Sequence, residues 1–427
     1  MTRTPLWQRA LLIALVGALG LRLAWHLASG AGMYWDFVNF YNAGRRLVDG
    51  RWSDLYAAAE PLFDEARLPE GVLTYVGFPI SALFFGPLGF FGPRLALLVF
   101  KAACSAAAVL GVTVLVHHLR TTALQHWSAF TAFLILVGAL LVWEPFWFAL
   151  TIGGQGTVLA FPLFAFAFTL HVERRDVAAG ACLALAMLLK PFLAPIGLLI
   201  VLARAWRLLA SLVLSGLALA LASVVLFGWP LHLQWVQAVL QESARWEMPW
   251  WINASIATPA ITPWVEGMSS MREVVPMPAL ASRLALAIRL TAVAVVLVRA
   301  WTVVRRGDDR NTREQTLLLG LVLSLCASNV IWSHYLLFAL APWLVLAARA
   351  PRLDRTGQAL VCLLLVSVAR ANFDVARWFQ DVVPTDTWWG LAVSALVGSG
   401  TLLLLVLLAA QDRFSPPATE VSASGRT

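Results

Sequence analysis

The chain has 427 residues, of which 60% are hydrophobic and only 13% are charged, and its formal net charge is +8 at pH 7. Soluble globular proteins carry roughly 25% charged residues, so this composition excludes a water-soluble fold. The basic residues lie between apolar runs instead of forming one patch, which argues against a nucleic-acid partner.

Ten apolar runs are near the length of about 20 residues that a helix needs to cross a bilayer. No segment alternates with a period of two, as the strands of a membrane barrel would. The sequence therefore predicts an all-α, polytopic integral membrane protein. The ten predicted spans are 11–28, 95–116, 127–147, 157–172, 206–228, 282–304, 316–332, 334–348, 358–372 and 388–410.

Two further apolar stretches are interrupted by helix-breaking residues. Residues 79–92 contain Pro and Gly, and residues 177–203 contain Lys190-Pro191 and Pro195. Such breaks are tolerated in a membrane where protein or a water-filled cavity covers the freed backbone groups. We expect re-entrant or broken helices there, and about 10–13 transmembrane helices in total.

Arginine clusters orient the predicted spans, because positively charged loops favour the cytoplasm. With those clusters and the N-terminus inside, the loops between them face outward, provided that 79–92 does not cross the membrane. We expect one transmembrane domain over 1–410 and a short disordered cytoplasmic tail over 411–427. The clusters are Arg174/Arg175, Arg204/Arg207, Arg305/Arg306/Arg310/Arg313 and Arg349/Arg352/Arg355; the outward segments are 29–78, 148–156, 229–281, Ser328–His334 and 373–387.

Asp36 follows the first span and has aromatic neighbours on both sides, Trp35 and Phe37. Partial desolvation there would raise the pKa of its carboxyl group and suit it to act as a general base. The alternative is a solvated acid that pairs with Arg45 or Arg46.

Lys190 lies far inside an apolar stretch, and Pro191 follows it. A lysine at such a position is costly and indicates a site for an anionic group. Lys101 lacks a helix-breaking neighbour, so we expect its side chain to snorkel to the interface.

Three other outward positions carry polar residues. Gln155 follows a Gly-Gly turn, Asn253 lies in a Trp-rich loop, and His334-Tyr335 stands where two spans meet. Each has a plainer alternative, such as a simple turn or an aromatic belt at the membrane interface.

In this order the motifs resemble glycosyltransferase family 87, whose members use polyprenyl-phosphate sugars and have the GT-C fold. Two elements of its pattern have another residue here, Ile80 for a second Pro and Thr157 for Asn. The matching elements are Asp36-Phe37, Phe40-Tyr41-Asn42-Ala43-Gly44-Arg45, Phe78-Pro79, Gly154-Gln155, Leu189-Lys190-Pro191, Asn253-Ala254-Ser255 and Ser328 with Trp332 and His334.

The resemblance implies a bacterial enzyme of the plasma or inner membrane that transfers a sugar with inversion on the extracytoplasmic face. The donor would be a polyprenyl-phosphate sugar, with mannose favoured, and the acceptor a glycolipid or cell-envelope glycan. Asp36 would be the catalytic base. The expected donor-binding residues are Lys190, His334, Arg45, Gln155, Asn253, Tyr41 and Tyr335.

We expect no metal, no other cofactor, no nucleic acid and a monomeric chain within the lipid bilayer. Two other functions fit the same residues. One is arabinofuranosyl transfer from a polyprenyl-phosphate pentose, because sugar choice depends on a pocket that distant helices build. The other is a lipid or solute transporter without catalysis, since transporters also contain broken helices, although this chain has no repeat symmetry.

Overall fold

The computed structural model describes residues 6–28, 35–60, 62, 75–122, 128–150, 155–243, 253–261, 279–307, 309–370, 372, 374–375 and 388–414. Regular structure in these residues is entirely helical, apart from one isolated bridge between Asn253 and Trp332. The α-helices are α1 (Leu6–Ala28), α2 (Trp35–Val48), α3 (Pro93–Thr122), α4 (Ala129–Val142), α5 (Glu144–Phe148), α6 (Thr157–Val172), α7 (Asp176–Leu189), α8 (Ile196–Leu202), α9 (Trp206–Phe227), α10 (Trp229–Ser243), α11 (Thr258–Ile261), α12 (Ala279–Val304), α13 (Arg310–Ala327), α14 (Leu340–Arg349), α15 (Arg355–Val368) and α16 (Trp388–Ala410).

The predicted class, an all-α polytopic membrane protein, is confirmed. Five described segments are long and apolar enough to cross a membrane: Arg9–Ala28, Pro93–Thr121, Trp206–Phe227, Ala279–Val304 and Ser333–Arg352. Six shorter apolar helices accompany them. The first and third segments are mostly exposed, as expected for helices that face lipid, whereas α6 is buried along almost its whole length.

Most predicted spans coincide with a helix, and 157–172 and 388–410 match α6 and α16. The span predicted over 127–147 is wrong as a single helix, because α4 ends at Val142 and α5 begins at Glu144. Pro145 lies in the first turn of α5, where its missing N–H costs nothing, but it could not continue α4.

Residues 79–92 form two 3₁₀ helices, Pro79–Phe84 and Gly86–Phe90. A 3₁₀ helix rises about 2 Å per residue, so these pieces are too short for a hydrocarbon core of roughly 30 Å. They pack against α2 instead. The expectation that 79–92 does not cross is therefore supported by its length.

Residues 177–203 form the predicted broken element. α7 ends at Leu189, a short 3₁₀ turn covers Pro191–Leu193, and α8 follows. The hydroxyl oxygen of Ser324, on α13, lies 3.5 Å from the carbonyl oxygen of Leu193, and Ile196 packs closely on Gly320. We call 176–202 the helical hairpin; its apex reaches the level of the last turns of α13.

The large loop predicted over 229–281 is partly helical, since it contains α10 and α11. Trp235 of α10 donates from Nε1 to the carbonyl oxygen of Val76 at 3.2 Å, and its ring meets Phe78 edge-on. Residues 244–252 and 262–278 of this loop lie outside the described residues, as do 151–154 and 376–387.

The predicted tail begins later than residue 411, because 411–414 form an ordered turn. The Asp412 carboxylate pairs with Arg299 and Arg306, and the Phe414 carbonyl accepts from Arg349. Phe414 itself is fully buried. Ion pairs at the end of the chain thus add four residues to the folded bundle; residues 415–427 lie outside the described part.

Candidate functional site

Three segments that are far apart in sequence meet at one end of the bundle. They are the first turn of α2 with Asp36, the apex of the helical hairpin with Lys190, and a 3₁₀ helix, Ser333–Leu337. The Lys190 ammonium lies 4.9 Å from the ring centroid of Tyr335. The Asp36 charge interacts with both of these side chains, and Lys190 also acts on His334. Four predicted site residues therefore share one site.

The apex of the hairpin owes its shape to Pro191. The residue before a proline is disfavoured in the α region, and Lys190 adopts φ −142° and ψ 87°, so α7 ends there. Phe192 then stacks on Tyr335, with ring centroids 4.6 Å apart and planes within 9°. The sequence Lys-Pro-Phe thereby ends a helix, places an ammonium group over the ring of Tyr335 and stacks a second ring on it.

The 3₁₀ helix Ser333–Leu337 is fixed from a second direction. The indole of Trp143, at the break between α4 and α5, donates to the carbonyl oxygen of Leu336 at 3.0 Å. Asn253 holds the segment just before it, because its Oδ1 accepts from the backbone N–H of Ile331 at 3.0 Å and of Ser255 at 3.1 Å. Asn253 thus joins the large loop to the site through its side-chain oxygen, and its predicted role in donor binding stays a prediction.

Asp36 is half-buried, and burial raises the pKa of its carboxyl group from 3.8 to about 6, while the positive charge of Lys190 opposes that rise. The neighbouring rings of α2 are packed on other rings: Phe40 stacks on Phe85 with centroids 4.3 Å apart, and Phe37 packs on Phe100. A carboxyl group with a pKa near neutrality can both take and release a proton at physiological pH.

The alternative of a solvated Asp36 paired with Arg45 or Arg46 is wrong. Arg45 pairs with Asp49 at 3.0 Å and donates to the Gly89 carbonyl oxygen at 3.0 Å. Arg46 is buried, and its guanidinium group donates to backbone carbonyls of the following turn, including that of Ala57 at 2.9 Å.

Arg45 and Tyr41 are not brought to Asp36. Arg45 stands nine residues along α2, which at 1.5 Å per residue is about 13 Å from it. The Tyr41 hydroxyl donates to the carbonyl oxygen of Phe91 at 2.9 Å. Both side chains hold α2 against the 3₁₀ helices of residues 79–90 and the residue that follows them.

Gln155 is buried beside the Asp36 face of α2. A Cβ added to Gly156, the next residue, would lie 3.3 Å from the ring of Phe40, which is one helical turn after Asp36. The structure therefore brings Gln155 near the site, on the α6 side.

Sequence reasoning missed two buried polar residues beside the site and one buried arginine elsewhere in the bundle. Asn39 shares the Asp36 face of α2, and Thr157 opens α6; both are buried. Arg289, inside the apolar helix α12, is buried too and donates to Asn329. Arg289 could have been recognised as a candidate because it is a charged residue within an apolar run. Asn39 could have been recognised because it is three residues from Asp36 and so lies on the same helix face.

Lys101 is buried, and its Nζ donates to the carbonyl oxygen of His26 at 2.8 Å. The prediction that it snorkels is wrong, because α1 packs over it and supplies the acceptor. This lysine joins α3 to α1.

An apolar cavity of about 320 Å³ opens between α12 and α16, next to the segment that carries Asn253. Its lining residues are Ile256, Ala287, Ile288, Thr291, Ala292, Val295, Leu403 and Val406. Among the described residues, no three His, Cys, Asp or Glu side chains cluster as ligands of a metal ion would.

These features indicate a polytopic membrane protein with a half-buried acid and a lysine at one end of its helical bundle. Residues 75–329, more than half of the chain, match glycosyltransferase family 87. The chain belongs to this family and is a membrane glycosyltransferase. The matched range includes Lys190 and Gln155, whereas His334 lies just after it and Asp36 lies well before it. A search of curated proteins finds none that matches the chain.

Proposed function

We propose that this glycosyltransferase moves a sugar, with mannose favoured, from a polyprenyl-phosphate donor to a glycolipid or cell-envelope glycan, with inversion. The observation that carries the proposal is the meeting of Asp36 with Lys190 and His334 at the end of the bundle. The carboxylate of Asp36 can accept a proton, and the neighbouring ammonium group of Lys190 can bind a phosphate.

The reaction needs both groups. An acceptor hydroxyl oxygen attacks the anomeric carbon of the donor, and a new C–O bond forms there. The bond from that carbon to the phosphate oxygen breaks, and its electron pair stays on the leaving lipid phosphate. The hydroxyl proton passes to the Asp36 carboxylate. General-base help of this kind is worth roughly 10²–10⁴-fold in rate.

Lys190 suits the leaving group. Negative charge on the phosphate grows as the anomeric bond breaks, and a cation already in position stabilises it without reorganisation. Tyr335 limits where the ammonium can go, because the ring and the cation lie 4.9 Å apart. His334, fully buried beside them, would hydrogen-bond the phosphate or the sugar. The apolar cavity between α12 and α16 suits the prenyl chain.

The site would face the extracytoplasmic side of the plasma or inner membrane. Both ends of the helical hairpin carry arginine clusters, Arg174/Arg175 before α7 and Arg204 after α8. Near the first of them, Arg313 contacts Asp176 at 3.1 Å. Positive loops favour the cytoplasm, and the apex with Lys190 points away from them.

Purified wild-type protein in nanodiscs, given a panel of polyprenyl-phosphate sugars, should form a new glycosidic product. Asp36→Asn should lose at least a hundredfold in rate, in keeping with a general base, whereas Asp54→Asn should stay active because Asp54 is exposed and outside the site. The product identifies the sugar and separates hexose from pentofuranose transfer. Unchanged turnover in Asp36→Asn, or movement of donor without a new bond, would contradict the proposal.

A further inference from the structure

Two buried polar atoms beside the site make no hydrogen bond in the protein. They are Oδ1 of Asn39 and Oγ1 of Thr157. Both residues are at least nine-tenths buried, and Thr157 is completely so. An unsatisfied buried polar atom is costly and rare in a folded protein, so each one needs an explanation.

Asn39 lies on the same face of α2 as Asp36, because residues three apart are neighbours on a helix. Its companion on that helix, Asn42, has an ordinary structural role and donates to the carbonyl oxygens of Val38 and Glu60, both at 2.9 Å. The Asn42 side chain is thus hydrogen-bonded to the protein backbone, whereas Oδ1 of Asn39 has no hydrogen-bond donor within the described part of the protein.

Thr157 approaches the same space from α6. One turn further along α6, Phe161 meets Phe338 edge-on, with centroids 5.8 Å apart. Four residues before Phe338 stands His334, whose Nε2 is also buried without a partner. On the other side, Gly156 lies against the ring of Phe40. Thr157 thus stands between the Asp36 face of α2 and the helix of His334.

We propose that Asn39 and Thr157 form, with Nε2 of His334, a subsite that binds the hydroxyl groups of a sugar ring. This inference rests on the proposed function and deepens it. A sugar hydroxyl both donates and accepts a hydrogen bond, so it matches an amide oxygen, a hydroxyl and an imidazole nitrogen together. These side chains would then discriminate between sugars, because a site built to bind a hydroxyl rejects a ligand that lacks it.

The test compares the affinity of sugar-bearing and sugar-free lipids in nanodiscs. Thr157→Val and Asn39→Leu keep the side-chain shape and remove the polar atoms. Each should weaken binding of a polyprenyl-phosphate sugar by roughly three- to tenfold, the effect of one net hydrogen bond. Binding of the sugar-free polyprenyl phosphate should not change. Both variants should melt no lower than wild type, since they lose an unsatisfied atom.

Thr169→Val is the matched control, because Thr169 is on the same helix and its hydroxyl is also buried and unpartnered, but twelve residues from Thr157. It should leave both affinities unchanged. Deoxy donors and deoxy acceptors show which substrate supplies the hydroxyl group. A ligand that lacks the hydroxyl bound by the substituted side chain should bind the variant and the wild-type protein equally well.

Equal weakening of sugar-bearing and sugar-free lipids would overturn the subsite, as would an equal effect of Thr169→Val. Wild-type protein that binds the two lipids equally would overturn it as well. Wild-type protein that prefers the sugar-bearing lipid but makes no glycosidic bond would count against the proposed function alone.

Discussion

The Asp36 carboxyl group combines a raised pKa with a nearby ammonium group, and this pair makes the activity depend on pH. A base must be deprotonated to act, and the pKa of Asp36 is about 6 because burial disfavours its charged form. We expect kcat/KM to fall about tenfold per pH unit below pH 6 and to be level above it until another group titrates. A flat profile between pH 5 and 8 would contradict this role.

The same shift links Asp36 to stability. Because its folded pKa lies above the ordinary value of 3.8, the folded state holds the proton more tightly, and its contribution to stability falls as pH rises from about 4 to about 6. Asp36→Asn should therefore melt at the same or a higher temperature than wild type at pH 7. Such a result, together with lost transfer, separates a catalytic role from a structural one.

Lys190 should be seen in the pH profile of Asp36 as well as in the rate. Its charge lowers the pKa of the Asp36 carboxyl group, so Lys190→Met should move the acidic limb of kcat/KM to higher pH and reduce the maximal rate. Lys190→Arg keeps the charge and should keep the limb near its wild-type position. A loss of rate with no movement of the limb would show that the two charges do not interact.

At the scale of elements, α2 reaches its place through a backbone contact that only glycine permits. A Cβ at Gly44 would lie 2.1 Å from the carbonyl oxygen of Phe85, and one at Gly89 would lie 2.6 Å from that of Gly44. Because neither glycine has a side chain, the backbone of α2 can contact the backbone of the 3₁₀ helices directly. This contact sets the position of α2 and therefore of Asp36.

Gly44→Ala should push α2 away from Phe85. Overpacking of a tight contact typically costs about 1–3 kcal/mol, so the melting temperature should fall, and transfer should fall further because Asp36 moves from Lys190. Gly86→Ala is the control, since a Cβ there meets nothing within 4 Å. Equal effects of the two substitutions in thermal melts and rate assays would contradict this account.

Across the whole molecule, one buried ion pair and several more exposed ones stabilise the end of the bundle opposite the site. Glu314 of α13 accepts from Arg349 of α14 at 2.6 Å, and that arginine also donates to Phe414. Arg413 pairs with Asp354 at 2.9 Å. The last ordered turn therefore contributes the Asp412 ion pairs, the Phe414 carbonyl acceptor and the buried Phe414 side chain to the stability of the bundle.

Two truncations test this turn. Removal of 415–427 should leave the melting temperature unchanged, since the pairs of Asp412, Arg413 and Phe414 remain. Removal of 411–427 should lower it by several degrees, because Arg299 and Arg349 then lose partners. Equal melting of both truncated proteins and wild type would indicate that the turn contributes nothing.

Much of the fold could be predicted because membrane spans depend on local composition. A run of about 20 apolar residues must be helical in lipid whatever surrounds it, so 157–172 and 388–410 were found at their correct bounds. The break at Pro191 is local too. The helix α10 was missed because its polar residues and tryptophans do not distinguish an interfacial helix from a loop.

The class of protein, its broken hairpin and the polar residues worth considering all follow from the order of amino acids. Which of these residues meet depends on how the helices pack. Asp36, Lys190, His334 and Tyr335 converge, whereas Arg45 and Tyr41 anchor α2. This division arises because membership of a membrane span depends on a residue's neighbours along the chain. Its electrostatic partners come from helices about 150 residues away, and only their packing sets those distances.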